Sequence, residues 1–380
     1  MHRHPFIAAG IAAFSIAAAG CGGSSSSSSS SSSAPIKIGW SGPLTTAEAY
    51  FGSTGLKGAQ LAAKELKPTG KLAGRKIQLV PLDDAGDPAQ AVTVAKRFAG
   101  DGLAAVIGPI DSGPTLAAAP IYARANLPTT TTGSNPDIVK RGYPNLVQLI
   151  ANDVRQGGAM ADYAASQGIK SVAVFNDSQA FGQGVASSFA AAAKAKGLRV
   201  SGEVGLSTNT QDYTSAVEQA LRAKPQAIYF GGANTPGGLL CRQARAAGFT
   251  GLFMGPDGIY DPSFIKGCGS KLGNVAVSFQ APPYTAGGAV TSFATRYKAA
   301  YGTGAGPYST YGYAQLGFLI AAMDKAQSTD PSAVIKAMHE VTYNGPLGAV
   351  KVDAHGALVN GPIYIYRADG AGFSFVRRAD

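Results

Sequence analysis

Charge is scarce in this sequence: 14% of its 380 residues are Asp, Glu, Lys or Arg, and only four are histidine. Basic residues outnumber acidic ones by 32 to 22, yet they stand singly or in pairs such as Arg75-Lys76 and Lys140-Arg141. No basic run could track a phosphate backbone, so nucleic acid is not an expected partner. Phosphate-cradling GxGxxG and GxxxxGKS/T motifs are missing, as is the GxSxG elbow, which leaves nucleotide-driven and serine-hydrolase chemistry without a handle. Cysteines number three, and no Cys/His spacing suits zinc, so neither metal nor cofactor is expected. The N-terminal apolar run, residues 6–20, falls short of the roughly 20 residues a membrane-spanning helix needs.

What is present suggests a large core: 45% of the residues are apolar, and the length fits two compact units. Arg3 followed by the small apolar run marks residues 1–20 as an export signal that is cut off. Ala18-Ala19-Gly20-Cys21 resembles the bacterial lipoprotein signal, which implies lipidation of Cys21 as the first mature residue. Residues 21–35 hold ten consecutive serines and form a flexible tether. An anchor plus a tether places a globular body at the outer face of the cell membrane or in the periplasm. The two remaining cysteines, Cys241 and Cys268, are a disulfide candidate in an exported protein, with two buried thiols as the alternative.

The body alternates strands and helices. Strands are expected over residues 36–40, 77–82, 104–107 and 127–131, with helices over 54–66 and 89–99, the latter capped by Asp87 with Pro88 in its first turn. This order argues for a parallel sheet with helices on both faces. The pattern restarts after Asn152-Asp153, with strands over 171–175, 200–206, 227–230, 252–254 and 275–281 between helices. Helices over 289–301, 308–326 and 331–341 and strands over 349–352 and 363–366 complete the chain. The expected fold is α/β: two doubly wound parallel-sheet lobes, each with a ligand-facing edge. At one such edge Asp111-Ser112-Gly113-Pro114 opens a helix, and Ser112 stands beside free backbone N–H groups suited to a carboxylate. One helix later, Thr129 to Ser134 bring further hydroxyls to a strand end. By themselves these residues read better as a helix cap and a strand face than as a ligand site, and Pro256-Asp257-Gly258 as an ordinary turn.

Taken in order, Ile36-Lys37-Ile38-Gly39, Gly42-Pro43-Leu44-Thr45, Asp83-Asp84 with Asp87-Pro88, and the stretch 105–136 resemble the leucine/isoleucine/valine-binding proteins, the type I periplasmic binding proteins of ABC importers. The resemblance covers nearly all of residues 36–370 and implies three crossovers between lobes, near 149–152, 279–283 and 342–346. Lobe I would then comprise residues 36–150 plus 282–343, and lobe II residues 151–281 plus 344–380. Position by position, it implies that Ser112 holds the ligand carboxylate, and that the Thr132 carbonyl and Ser134 hydroxyl bind the α-amino acid head. Phe181 would close over the ligand, Asp257 would pair with its ammonium, Phe51 would pack on it, and Tyr260 would line the mouth. Ala233 stands where these relatives have an aromatic, and Asp257 is one methylene shorter than their usual glutamate, so side-chain selectivity is left open. The implied function is a monomeric, lipid-anchored solute-binding protein that captures an amino acid or similar small polar ligand and delivers it to an ABC permease. A ligand-sensing lipoprotein serving a receptor is the alternative, and an exported enzyme acting on amino acids or amides a weaker one.

Overall fold

Two sheets organise residues 34–379, the part of the chain that the computed structural model describes. The signal segment, Cys21 and the serine run lie outside the described residues. The first series runs β1 (Ile36–Gly42), α1 (Ala49–Glu65), β2 (Ile77–Asp83), α2 (Pro88–Gly100), β3 (Ala105–Ile107), α3 (Ser112–Arg124), β4 (Thr129–Thr131), α4 (Asp137–Lys140) and β5 (Leu146–Gln148). Its strands pair in parallel in the order β2-β1-β3-β4-β5. Asp87 caps α2 as expected, its carboxylate accepting from the Gln90 N–H at 2.8 Å.

The second series is α5 (Asp153–Ser166), β6 (Ser171–Asn176), α6 (Ala180–Ala195), β7 (Arg199–Gly205), α7 (Thr214–Leu221), β8 (Ala227–Gly231), α8 (Asn234–Ala246), β9 (Leu252–Gly255), α9 (Pro262–Cys268) and β10 (Val275–Phe279). Helices α10 (Gly288–Tyr301), α11 (Ser309–Ala326) and α12 (Pro331–Met338) then pack on the first sheet, sharing a core with Ile36, Trp40 and Ile107. Strands β11 (Tyr343–Gly345) and β12 (Gly348–Val350) form a hairpin, and β13 (Tyr364–Asp369) and β14 (Gly372–Arg378) close the chain. The second sheet has the order β14-β13-β10-β9-β8-β6-β7, parallel except for the antiparallel pairs made by β13. This is the α/β architecture expected, with an antiparallel margin added to the second sheet.

Short elements α4, α9 and β11 were not expected from the sequence, and three further departures have a clear physical reason. Strand β5 is only three residues long and carries Gln148, so its apolar pattern is too short to register, yet the side chain is fully buried and donates to the carbonyls of Gly133 and Asn135. Strand β14 is mostly exposed at the sheet margin and lacks the apolar alternation of a half-buried strand. The third passage between sheets also falls later than residues 342–346. Val350 and Val352 remain in the first core, Gln148 takes a hydrogen bond partner at Gly356, and the chain enters the second sheet only at Tyr364. Apolar burial of the β11–β12 hairpin under α11 holds it on the first side, which corrects the expected start of lobe II at residue 344.

Cys241 in α8 and Cys268 at the end of α9 are joined by a disulfide, with their Cα atoms 5.1 Å apart and both side chains buried. The bridge fastens α9 to α8 beside the loop that carries Asp257. No helix among the described residues is long and apolar enough to cross a membrane.

Candidate functional site

A cleft opens where strand carboxyl ends and helix N-termini of both sheets converge, the position that open α/β sheets reserve for ligands. Its walls come from the turn after β4 (Thr132, Gly133, Ser134), the start of α3 (Ile110, Asp111, Ser112), and the start of α6 (Phe181). The residue before α8 (Ala233), the turn after β9 (Asp257, Gly258), and the residues before α1 and α11 (Glu48, Tyr308) complete them. It encloses about 360 Å³ of atom-free space including its solvent-open part. Five helix N-termini at the rim supply positive potential and free N–H groups to an anionic ligand group.

Ser112, Thr132 and Ser134 are all buried here. Ser112 is the first residue of α3, and its hydroxyl accepts from the Asn135 N–H at 3.2 Å, while Thr132 donates to the Ile110 carbonyl at 3.1 Å. Asp257, 2% exposed, accepts from the Tyr308 hydroxyl at 2.5 Å and from Gln156 Nε2 at 2.8 Å. Burial pushes its carboxyl above the usual range, and the hydrogen bonds from Tyr308 and Gln156 pull part of the way back. Tyr308 precedes α11 on the first sheet, so this contact bridges the two sides, as does the bond from Asn135 Nδ2 to the Ala180 carbonyl at 2.9 Å. Phe51 stands 5.3 Å from Tyr308 between ring centroids and lines the cleft.

Six of the seven expected ligand residues thus share one cleft: Ser112, Thr132, Ser134, Phe181, Asp257 and Phe51. Tyr260 does not join them. Its ring stacks on Phe279 at 4.7 Å and meets Tyr366 and Phe373, because a large apolar ring gains more in that aromatic cluster than beside a polar cleft.

Five residues were not singled out from the sequence. Glu48 was hidden because α1 begins at Ala49, before the clear helical spacing from residue 54. Asp111 could have been found, since it adjoins Ser112 at the same strand-to-helix junction. Tyr308 and Gln156 reach Asp257 only through tertiary contact. Asp153, at the start of α5, is fully buried behind Ser134, and burial pushes its carboxyl up to about 8 against the lowering effect of the Ser134 hydroxyl.

Fold and cleft together define a two-lobed solute-binding architecture. The chain belongs to the periplasmic binding protein family, which it matches over residues 35–372. It is 30% identical over 337 residues to the leucine-, isoleucine-, valine-, threonine- and alanine-binding protein of Pseudomonas aeruginosa, spanning 87% of this chain and 89% of that one. A second Pseudomonas aeruginosa relative, an amino acid binding protein, is 31% identical, with 89% and 91% covered. Among solved structures, the leucine binding protein LivK from Thermotoga maritima superposes with a TM-score of 0.84 at 28% identity, covering 90% of this chain and 98% of that one. All three are named as binding proteins.

Proposed function

We propose that the protein captures an amino acid or a similar small polar ligand outside the cytoplasm and presents it to an ABC permease. The observation that carries this reading is the placement of buried Asp257 in one cleft with the hydroxyls of Ser112 and Ser134 at helix and strand ends. An ammonium beside Asp257 and a carboxylate at the α3 N-terminus would each find its complement, whereas either charge buried alone would cost several kcal/mol. Ligand groups that touch both sides favour the closed arrangement already bridged by Asp257 and Tyr308, and the permease would recognise closure. No bond-making step is needed. Two amino acid-binding relatives that match most of the chain support this reading over a catalytic one.

A thermal-shift screen of α-amino acids, amides and small carboxylates tests it, because a ligand that binds only the folded state raises its melting temperature. α-Amino acids should stabilise the protein. A shift with amine-free carboxylates alone would remove the ammonium role from Asp257, and turnover of a bound amino acid or amide would replace the transport reading with an enzymatic one.

Monomeric behaviour and anchoring through lipidated Cys21 belong to the same proposal, supported by the serine tether that follows the cysteine. In a bacterial host, Cys21→Ser should move the protein from the detergent phase to the aqueous phase on partitioning. Retention in the detergent phase would show that another segment holds it at the membrane.

A further inference from the structure

The cleft carries more carboxyl groups than one ammonium can use. Glu48 and Asp111 line the inner chamber and also an adjoining mouth that reaches Gly86, Asp177 and Gln179. A Cβ placed on Gly86 would lie 3.0 Å from Glu48 Oε2 and 3.7 Å from Asp111 Oδ2, so the two carboxyl groups converge on one spot. Each occupies the position before a helix, α1 or α3, yet neither side chain caps that helix. Asp111 Oδ2 is buried and accepts no hydrogen bond. No Lys, Arg or His lines either the chamber or the mouth. Among the described residues no group of three or more His, Cys, Asp or Glu is arranged to hold a metal ion, so an organic cation is the counter-charge this pair fits.

We propose that Glu48 and Asp111 form a second cation subsite, which selects an α-amino acid whose side chain ends in an ammonium or guanidinium group. The inference rests on the amino acid reading of the inner chamber and adds the class of side chain. With the head group between Ser112 and Asp257, the side chain runs toward the mouth past Ala233, where a small residue leaves room. A branched aliphatic chain would instead cover both acids without pairing them, so they would stay protonated and add no charge pair to binding.

The titration behaviour of the pair agrees. Burial, then the charges of Asp177 and Asp84, push Glu48 up to about 7. Burial, then Glu48, Asp84 and Asp257, push Asp111 well above the carboxylate range. Every charged group named as facing the pair is therefore an acid. A ligand cation draws both carboxyls back toward ionisation, so its binding weakens as pH falls below 7 and Glu48 takes up a proton.

Calorimetry on the full chain with two matched pairs decides the matter: L-lysine against L-norleucine, and L-arginine against L-citrulline, which differ chiefly in the terminal charge. At pH 8 the cationic member should bind about tenfold tighter or more, and the ratio should shrink several-fold at pH 5.5. Glu48→Gln and Asp111→Asn should each move the ratio toward one. Equal or tighter binding of the neutral members to the unaltered protein at pH 8 overturns the proposal without recourse to any variant. If leucine or norleucine binds and lysine does not, the second subsite falls while the amino acid reading stands. If no α-amino acid binds, both fall.

Discussion

Asp257→Ala should weaken α-amino acid binding by about 2–5 kcal/mol, the range for truncating one partner of a buried, hydrogen-bonded charge pair. The carboxylate is nearly inaccessible and held by Tyr308 and Gln156, so its position is set before ligand arrives. Removing it strands the ligand ammonium in a closed cleft and leaves two donors unpaired. Titration calorimetry with the best amino acid from the thermal-shift screen gives the number. Undiminished affinity in a variant that melts cooperatively would end the ammonium role, whereas Asp257→Asn, which keeps the shape and one acceptor, should recover only part of the loss.

A second large effect is expected far from any ligand atom. Helices α1 and α11 pack so closely that a Cβ on Gly58 would overlap the Ser309 carbonyl, and one on Gly312 would overlap the Gly55 carbonyl. Gly58→Val should therefore destabilise the fold by about 4 kcal/mol, above the usual ~1–3 kcal/mol of overpacking, because the obstacle is backbone that cannot rotate aside. Ser309 directly follows Tyr308, so the shift would also move the hydroxyl that holds Asp257. Chemical denaturation measures the first effect and ligand titration the second. Gly158→Ala in α5, where an added methyl meets nothing within 4 Å, should be neutral or slightly stabilising through helix propensity, and serves as the contrast. Equal stability losses in the two variants would contradict the packing account.

Much of this was legible along the chain. The alternation of short apolar runs with capped helices foretold both sheets, since each strand-to-helix junction is punctuated locally by residues such as Asp87-Pro88. The cleft hydroxyls were visible for the same reason: Ser112, Thr132 and Ser134 lie at junctions where a strand stops. Tyr260 was misplaced because nearness to Asp257 in sequence says nothing of which neighbours its ring will meet across the fold. The late third crossing was equally hidden, since the β11–β12 hairpin packs apolar residues such as Val350 into the first core and the Gln148 N–H, some 200 positions earlier, donates to the Gly356 carbonyl that follows it.

Local order, fold class and family membership were thus in the residues themselves, because caps, turns and apolar periodicity act over a few positions. The partners of each buried group were not. That Gln156 and Tyr308 together hold Asp257, that Gly58 must remain bare, and that Glu48 and Asp111 converge beside Gly86 all depend on segments separated by tens to hundreds of residues. Burial and charge proximity in this cleft arise only from the tertiary approach of the two sheets.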